Sequence, residues 1–167
     1  MKALTVWQPW ASLIIAGAKP YEFRGWRFPR SLLGQRIVIH AAARAVNAEE
    51  AWQLYHTLLN RDVDDDMRLE AAETCLVAEK ALPILNGAWV KGRMPIACGL
   101  GTVVIGEPKI GTVVAEEFGV PRANDSDRDQ HANWGWPMLE IEAWAEPVPM
   151  RGAQGFWNWP TPEAALL

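Results

Sequence analysis

Hydrophobic and polar residues alternate along five short segments of the chain, and this period of two is typical of β-strands. In the segment Gln35 to Ala41, Val38 and His40 fall on one face, and Ile37 and Ile39 fall on the other. The predicted strands cover residues 2–6, 21–24, 35–41, 96–107 and 136–145, the fourth with a bend near residue 99 or 101. Together they predict one curved, mixed sheet that closes into a barrel.

Helical spacing appears first directly after the first strand. A short helix is expected from Pro9, which suits a first helical turn, to Gly17, which suits a left-handed position after the last turn. Trp10 is expected to lie in the core. Further along, residues 115–118 predict a helical turn and residues 124–130 predict a polar, mobile loop.

A longer helical region separates the third and fourth strands. Asn47 followed by Glu50 resembles a capping box, and apolar residues then recur at helical spacing. A second amphipathic helix is expected to follow the acidic loop at 62–66, to run through about Leu82 and to end at Pro83. The chain is therefore predicted to be a single α+β domain over residues 1–167, with a helical insertion at about 47–93.

Composition excludes several classes of protein. Half of the 167 residues are hydrophobic, which excludes disorder for most of the chain. We find neither an apolar run long enough for a bilayer nor a signal-peptide layout, and thus expect no membrane partner. Cys75 and Cys98 lack paired spacing, which argues against zinc or a disulfide framework and favours a cytoplasmic location. The ten tryptophans offer flat faces on which bases can stack.

The net charge of -4 conceals an uneven distribution. Residues 1–44 hold seven basic side chains and one acidic one, a net +6, and the remainder has nine basic and nineteen acidic side chains, a net -10. A cationic face on an acidic protein can attract phosphate, because the local field decides such binding.

Ionisable groups concentrate in the stretch GAKPYEFR at residues 17–24. Pro20 favours an extended backbone, so Glu22 and Arg24 should share one face of a strand with Lys19 at its entrance. This arrangement resembles the floor of a pocket, although a surface ion pair on an edge strand explains it too. Since exposed charges contribute little stability, Lys19→Ala should abolish binding and leave the fold intact.

The acidic loop resembles a calcium-binding loop in part. Asp62, Asp64, Asp66 and Glu73 occupy its first, third, fifth and twelfth positions, but Met67 stands where the sharp turn requires glycine. A solvated helix start explains the run equally well. We predict no metal ligands and no cofactor.

Several motifs together resemble the ASCH domain, the activating signal cointegrator homology family of the PUA-like superfamily. They are WQPWASLI at residues 7–14, the G-x-K-x-x-E-x-R signature at residues 17–24, IHA at 39–41, GTV at 101–103 and RGAQGFWNW at 151–159. The resemblance covers the domain apart from the helical insertion. It implies an α+β, PUA-like fold: a small mixed β-barrel with flanking helices and a cleft that holds the signature residues.

The resemblance also implies a function in binding RNA, DNA or nucleotide-like ligands. Members differ in activity: some resemble plain binding modules, one bacterial type is a ribonuclease, and another removes acyl groups from the exocyclic amine of cytidine. The acyl-cleaving members carry a threonine nucleophile where this chain has Glu22. A carboxylate is a poor nucleophile toward amides, so we expect no efficient deacylation through that route.

We therefore expect a cytoplasmic domain that binds RNA, another single-stranded nucleic acid or a nucleoside-like molecule. The alternatives are a metal-independent hydrolase in the same cleft, with ribonuclease favoured over amidohydrolase, and a scaffold in which the ion cluster only locks the barrel. The candidate catalytic residues are Lys19, Glu22 and His40. The candidate binding residues are Trp7, Gln8, Pro9, Lys19, Glu22, Arg24, Trp26, Arg27, Arg30, Trp134 and Trp136.

Overall fold

A computed structural model describes residues 1–91, 94–123 and 134–160 of the chain. Its strands are β1 (Lys2–Val6), β2 (Tyr21–Arg24), β3 (Arg36–Ala41), β4 (Cys98–Ile105), β5 (Lys109–Ile110), β6 (Trp134–Pro149) and β7 (Phe156–Asn158). Its helices are α1 (Trp10–Ile15), α2 (Ala48–Leu59), α3 (Asp65–Glu73), α4 (Ala78–Lys91) and α5 (Gly111–Phe118), with a 3₁₀ turn at Arg30–Leu32. The predicted polar loop at 124–130 lies outside the described residues.

The strands form one mixed sheet in the order β2-β6-β4-β3-β1-β7, and β5 pairs with β6. β1 and β3 run parallel, and the other neighbours run antiparallel. The sheet curls into a half-barrel, which confirms the predicted α+β, PUA-like fold. Among the described residues β2 and β7 are its two edges, so the predicted closure into a full barrel is not seen. Aromatic side chains pack inside the curl, where the rings of Trp136 on β6 and Phe156 on β7 stack with centroids 5.9 Å apart.

The bend predicted in the fourth strand is confirmed. The register of β4 against β6 shifts between Gly99 and Gly101, and a Cβ at Gly101 would contact the backbone carbonyl of Glu142. The alternation predicted for β6 holds only in part, because Glu140 adopts a left-handed backbone with φ of 44°. Strands β5 and β7 are additions to the predicted set.

Helix α1 lies between two cores. Its Ile14 belongs to the core inside the curled sheet, and its Leu13 packs with the helical cluster of α2 and α4. The predicted glycine cap of α1 is confirmed, since Gly17 has φ of 67°. A third apolar cluster joins β2 to α5.

The helical insertion contains three helices, which corrects the prediction of two. Asn47 accepts hydrogen bonds from the first turn of α2, as its capping pattern predicts. The chain breaks at Cys75, whose φ of 54° ends α3. The predicted helix end at Pro83 is wrong, because Pro83 lies inside α4. A proline removes one helical hydrogen bond. Here Leu85 and its neighbours bury an apolar face of α4 against α2, which maintains the helix beyond the proline.

None of the helices in the described part is long and apolar enough to cross a membrane.

Candidate functional site

The end of α1 fixes the start of the signature segment. The backbone amides of Ala18 and Lys19 both donate to the carbonyl of Leu13, at 2.8 and 3.1 Å. Strand β2 then pairs antiparallel with β6, so that Glu22 lies opposite Trp136 and Arg24 opposite Trp134. The signature is thus held between the C-terminus of α1 and strand β6, at one edge of the sheet.

Lys19 is buried, which contradicts its expected place at an exposed pocket entrance. Only 1 % of its surface is accessible. Its Nζ donates to the Tyr21 carbonyl at 2.8 Å and lies 3.5 Å from Glu22 Oε2. The aromatic faces of Trp10 and Phe23 lie 5.2 and 5.1 Å from the same nitrogen. Polar atoms and ring faces therefore surround the ammonium where water would otherwise be.

Glu22 joins this buried lysine to Arg24. Its Oε1 accepts from Arg24 Nη2 at 2.7 Å, and the carboxylate itself is buried. The guanidinium of Arg24 lies 5.9 Å from the centre of the Trp136 ring, and its Nε is buried without a hydrogen-bond partner among the described residues. The signature therefore forms a row of alternating charges that begins in the core and ends at the half-buried Arg24.

A cavity of about 760 Å³ opens beside Arg24. Two arginines, Arg24 and Arg151, are the charged side chains of its wall, and no carboxylate is among the described residues that line it. The half-exposed Trp7 also lines the cavity, with the guanidinium of Arg44 4.4 Å from its ring centre. The other lining residues are Thr5, His40, Ala42, Ala43, Ala97, Met150, Gly152, Ala153, Gln154 and Gly155.

His40 lies in the cavity wall, and both of its ring nitrogens have hydrogen-bond partners. Nε2 lies 2.9 Å from the carbonyl of Met150, which can only accept, so we assign a proton to Nε2. Nδ1 lies 3.3 Å from the hydroxyl oxygen of Thr5. That oxygen in turn accepts a hydrogen bond from Trp157 Nε1 at 3.0 Å. The ring therefore links β3 to β1, β7 and the segment after β6.

Sequence reasoning missed the contribution of the segment 150–155, which appeared only within the aromatic motif near the C-terminal end. Arg151 and Gln154 bring polar groups to the cavity wall. Gly152 allows this segment to approach the sheet, because a Cβ at that position would lie 2.7 Å from His40 Nδ1. The sequence feature that indicates this segment is the motif RGAQG, in which two glycines follow the basic Arg151.

Gln8, Pro9 and Trp136 are buried. Gln8 accepts from the backbone amide of Ser12 at 3.1 Å and donates to the Pro95 carbonyl at 2.7 Å, so it anchors the start of α1 to the segment before β4. Trp136 has no accessible surface. This burial contradicts its expected stacking against a ligand, since both faces already lie among core side chains.

Trp26, Arg27, Arg30 and Trp134 do not line the cavity. Trp26 is exposed and packs edge-on against Trp136, with centroids 4.7 Å apart. The Arg27 guanidinium lies 5.2 Å from the Trp134 ring centre, and its Nη2 pairs with Glu107 at 3.2 Å. Arg30 is exposed in the 3₁₀ turn. Of the predicted binding residues, the structure therefore brings Trp7 and Arg24 together at the cavity.

The positive charge of residues 1–44 is partly neutralised by acidic partners from the rest of the chain. Besides the pair between Arg27 and Glu107, Arg36 pairs with Glu140 at 2.9 Å and with Glu142 at 3.4 Å. Arg24 is likewise paired with Glu22, so the sequence asymmetry overstates the cationic surface.

A second polar cluster lies outside the cavity, where β2 meets α5. The Tyr21 hydroxyl donates to Glu117 Oε2 at 2.6 Å and accepts from Lys109 Nζ at 2.8 Å. Burial raises the pKa of Tyr21, and the hydrogen bond from Lys109 holds the pKa of Glu117 below its ordinary value. The bond to Glu117 raises the pKa of Lys109. These partners satisfy one another and tie α5 to the sheet.

The acidic loop forms the start of α3. Asp64 is its N-cap and accepts from the Met67 amide at 2.8 Å. Asp65 and Asp66 occupy the first turn, where they interact favourably with the helix dipole. Within residues 1–91, 94–123 and 134–160, no group of three or more His, Cys, Asp or Glu side chains is placed to hold a metal ion.

The ASCH domain family model matches residues 4–116. The crystal structure of ASCH from Zymomonas mobilis superposes with a TM-score of 0.50 at 13 % identity, over 99 % of this chain and 90 % of that one. Two mutant proteins of the same bacterial ASCH superpose with TM-scores of 0.49, also at 13 % identity, over 99 % of this chain and 91 % and 93 % of theirs. At this identity the likeness concerns the fold alone. Among curated proteins, none matches the sequence.

Proposed function

The chain belongs to the ASCH domain family, and from this premise we propose that it binds RNA or a nucleotide-derived ligand in the cavity beside Arg24. The observation that carries the proposal is the charge of the cavity wall, where Arg24 and Arg151 are present without a carboxylate among the described lining residues. Guanidinium groups match phosphate oxygens in charge and in planar geometry.

The aromatic part of the wall supports a base beside that phosphate. Trp7 lines the cavity and exposes 51 % of its surface, and the guanidinium of Arg44 lies 4.4 Å from its ring centre. A tryptophan face stacks any base with little sequence preference. The volume of about 760 Å³ also falls within the roughly 300–1,000 Å³ of small-molecule sites.

The signature residues have unequal functions in this proposal. Arg24 contacts the ligand, and Glu22 positions Arg24 through the 2.7 Å ion pair. Lys19 places its Nζ 3.5 Å from Glu22 Oε2 and so helps to hold that carboxylate in position. The proposed contacts are therefore Trp7, Arg24 and Arg151, and the positioning residues are Lys19 and Glu22.

A hydrolase in the same site has less support. Lys19 and Glu22 are not among the residues that line the cavity, and both ring nitrogens of His40 have partners. Proton transfer would require these groups to exchange their present hydrogen bonds for the substrate. We therefore expect slow or undetectable cleavage of RNA and no rapid deacylation of acetylcytidine.

The proposal is tested by fluorescence anisotropy with a labelled single-stranded RNA oligomer, and by calorimetric titration with nucleoside monophosphates. Arg151→Ala should weaken binding by roughly tenfold or more, because hydrogen bonds to charged groups contribute about 1.5–3 kcal/mol. The matched control is Arg68→Ala, which removes an exposed arginine from α3. Binding of RNA should weaken with salt, and the slope should decrease in the Arg151 variant.

Equal affinities of the wild type and Arg151→Ala would contradict the proposal, as would binding that does not change with salt. Gel analysis of the same RNA and acetate release from acetylcytidine test for chemistry. Rapid product formation that is lost in a Lys19→Ala variant, with circular dichroism showing that variant to be folded, would replace the binding function with an enzymatic one.

A further inference from the structure

One face of α2 exposes apolar and aromatic side chains. Trp52 and Leu59 expose 45 and 51 % of their surface, and Val63, in the turn after the helix, exposes 68 %. His56 is exposed between them, with its ring stacked on Trp52 at a centroid distance of 5.2 Å. We call these four residues the α2 stripe. Apolar side chains that are exposed together mark interaction sites more often than scattered ones.

The spacing of the α2 stripe is that of a seam between two helices. Trp52, His56 and Leu59 follow one another at intervals of four and three residues, which places their side chains on one line along α2, and Val63 follows four residues later in the turn after the helix. An adjacent face of α2 is already used, since Ala51 and Leu58 are buried in the helical cluster. The stripe is therefore a second apolar face, which the core of the domain leaves uncovered.

The charge around the stripe distinguishes between kinds of partner. Residues 47–73 hold eight acidic and two basic side chains, a net -6. The two arginines are engaged, Arg61 with Glu79 at 3.0 Å and Arg68 with Asp65 at 2.7 Å. An acidic surface repels a phosphate backbone and attracts lysine and arginine.

We propose that the α2 stripe docks an amphipathic α-helix of a partner protein, with an apolar seam flanked by lysine and arginine. Helices of this kind bind by laying the apolar face against the exposed seam, while the flanking charges set orientation and association rate. The surface is separate from the cavity, since none of its four residues lines that wall.

Two synthetic helical peptides test the proposal by fluorescence anisotropy with the full chain. Both are three heptads long with the same leucine seam, and their flanking positions carry either lysine or glutamate. The lysine peptide should bind, its affinity should fall with added salt, and the glutamate peptide should bind at least about tenfold more weakly. Trp52→Ser should weaken binding of the lysine peptide by roughly tenfold or more, because tryptophan dominates such interfaces.

The matched control is Val113→Ser, which removes an exposed apolar side chain from α5. Leu59→Ser serves as a second stripe variant, and circular dichroism checks that each variant is folded. Failure of the lysine peptide to bind, equal binding of both peptides, or unchanged binding by both stripe variants would overturn the proposal. A dimer in sedimentation velocity that Trp52→Ser dissociates would assign the stripe to a second copy, and RNA binding lost in that variant would assign it to nucleic acid. Either result overturns the proposal.

Discussion

Replacement of Glu22 by glutamine should destabilise the protein strongly, because it removes a carboxylate from the buried ammonium of Lys19. The two groups lie 3.5 Å apart, and their side chains are 2 and 7 % exposed. Removal of one partner from a buried ion pair costs about 3–5 kcal/mol. Since the neighbouring Arg24 keeps some solvent contact, we expect the lower end, about 3 kcal/mol.

For a domain of this size each kcal/mol shifts the melting temperature by about 2–4 °C, so Glu22→Gln should lower it by roughly 6–12 °C. Urea unfolding gives the free energies for a double-mutant cycle of Glu22→Gln and Lys19→Met, which removes the charge and keeps most of the volume. The effects of the two substitutions on the free energy of unfolding should depart from additivity by more than about 1 kcal/mol, because the double variant no longer buries an isolated charge.

The pair Asp65–Arg68 is a matched control, with the same sequence separation but with side chains 93 and 61 % exposed. The cycle of Asp65→Asn and Arg68→Met should give a coupling below about 0.5 kcal/mol. Additive effects of the substitutions at Lys19 and Glu22, or a Glu22→Gln destabilisation no larger than that of Asp65→Asn, would contradict this prediction.

Two further predictions concern the cavity wall and the cluster at α5. Gly152→Ala should destabilise by about 1–3 kcal/mol in urea unfolding, because the new Cβ would overlap the ring of His40, whereas Gly87→Ala in α4, where a Cβ meets nothing within 4 Å, should be neutral or stabilising. The hydrogen bond from Lys109 lowers the pKa of Glu117. The stability that the ionised Glu117 contributes to the fold is therefore fully present above the ordinary pKa of 4.5, and it is lost as the pH falls through the lowered pKa. Glu117→Gln should therefore remove part of the acid dependence of stability, and an unchanged pH profile would contradict this.

The local patterns in the sequence predicted much of the fold. Alternation identified β1 through β4, Gly17 identified the end of α1, and Asn47 identified the start of α2, because each depends on residues close in sequence. The two-residue strand β5 and the three-residue strand β7 are too short for a period to show. Their pairing depends on partners far along the chain.

The site was predicted less completely, because burial is a property of the whole fold. Alternation placed Glu22 on a polar face, but both faces of β2 are covered in the structure. The same covering buries Lys19 and Trp136, so residue type alone misassigned both as exposed. Arg151 reaches the cavity from far along the chain, through a contact between Gly152 and His40 that no local pattern encodes.

A crystal structure with bound cytidine monophosphate tests whether the cavity beside Arg24 holds a nucleotide. We expect the phosphate within about 3 Å of a guanidinium nitrogen of Arg24 or Arg151, as charge-assisted hydrogen bonds require. The base should lie against the ring of Trp7, which lines the same cavity. A nucleotide held elsewhere, for example at Arg27 and Trp134, or a cavity that stays without ligand at saturating concentration, would contradict it.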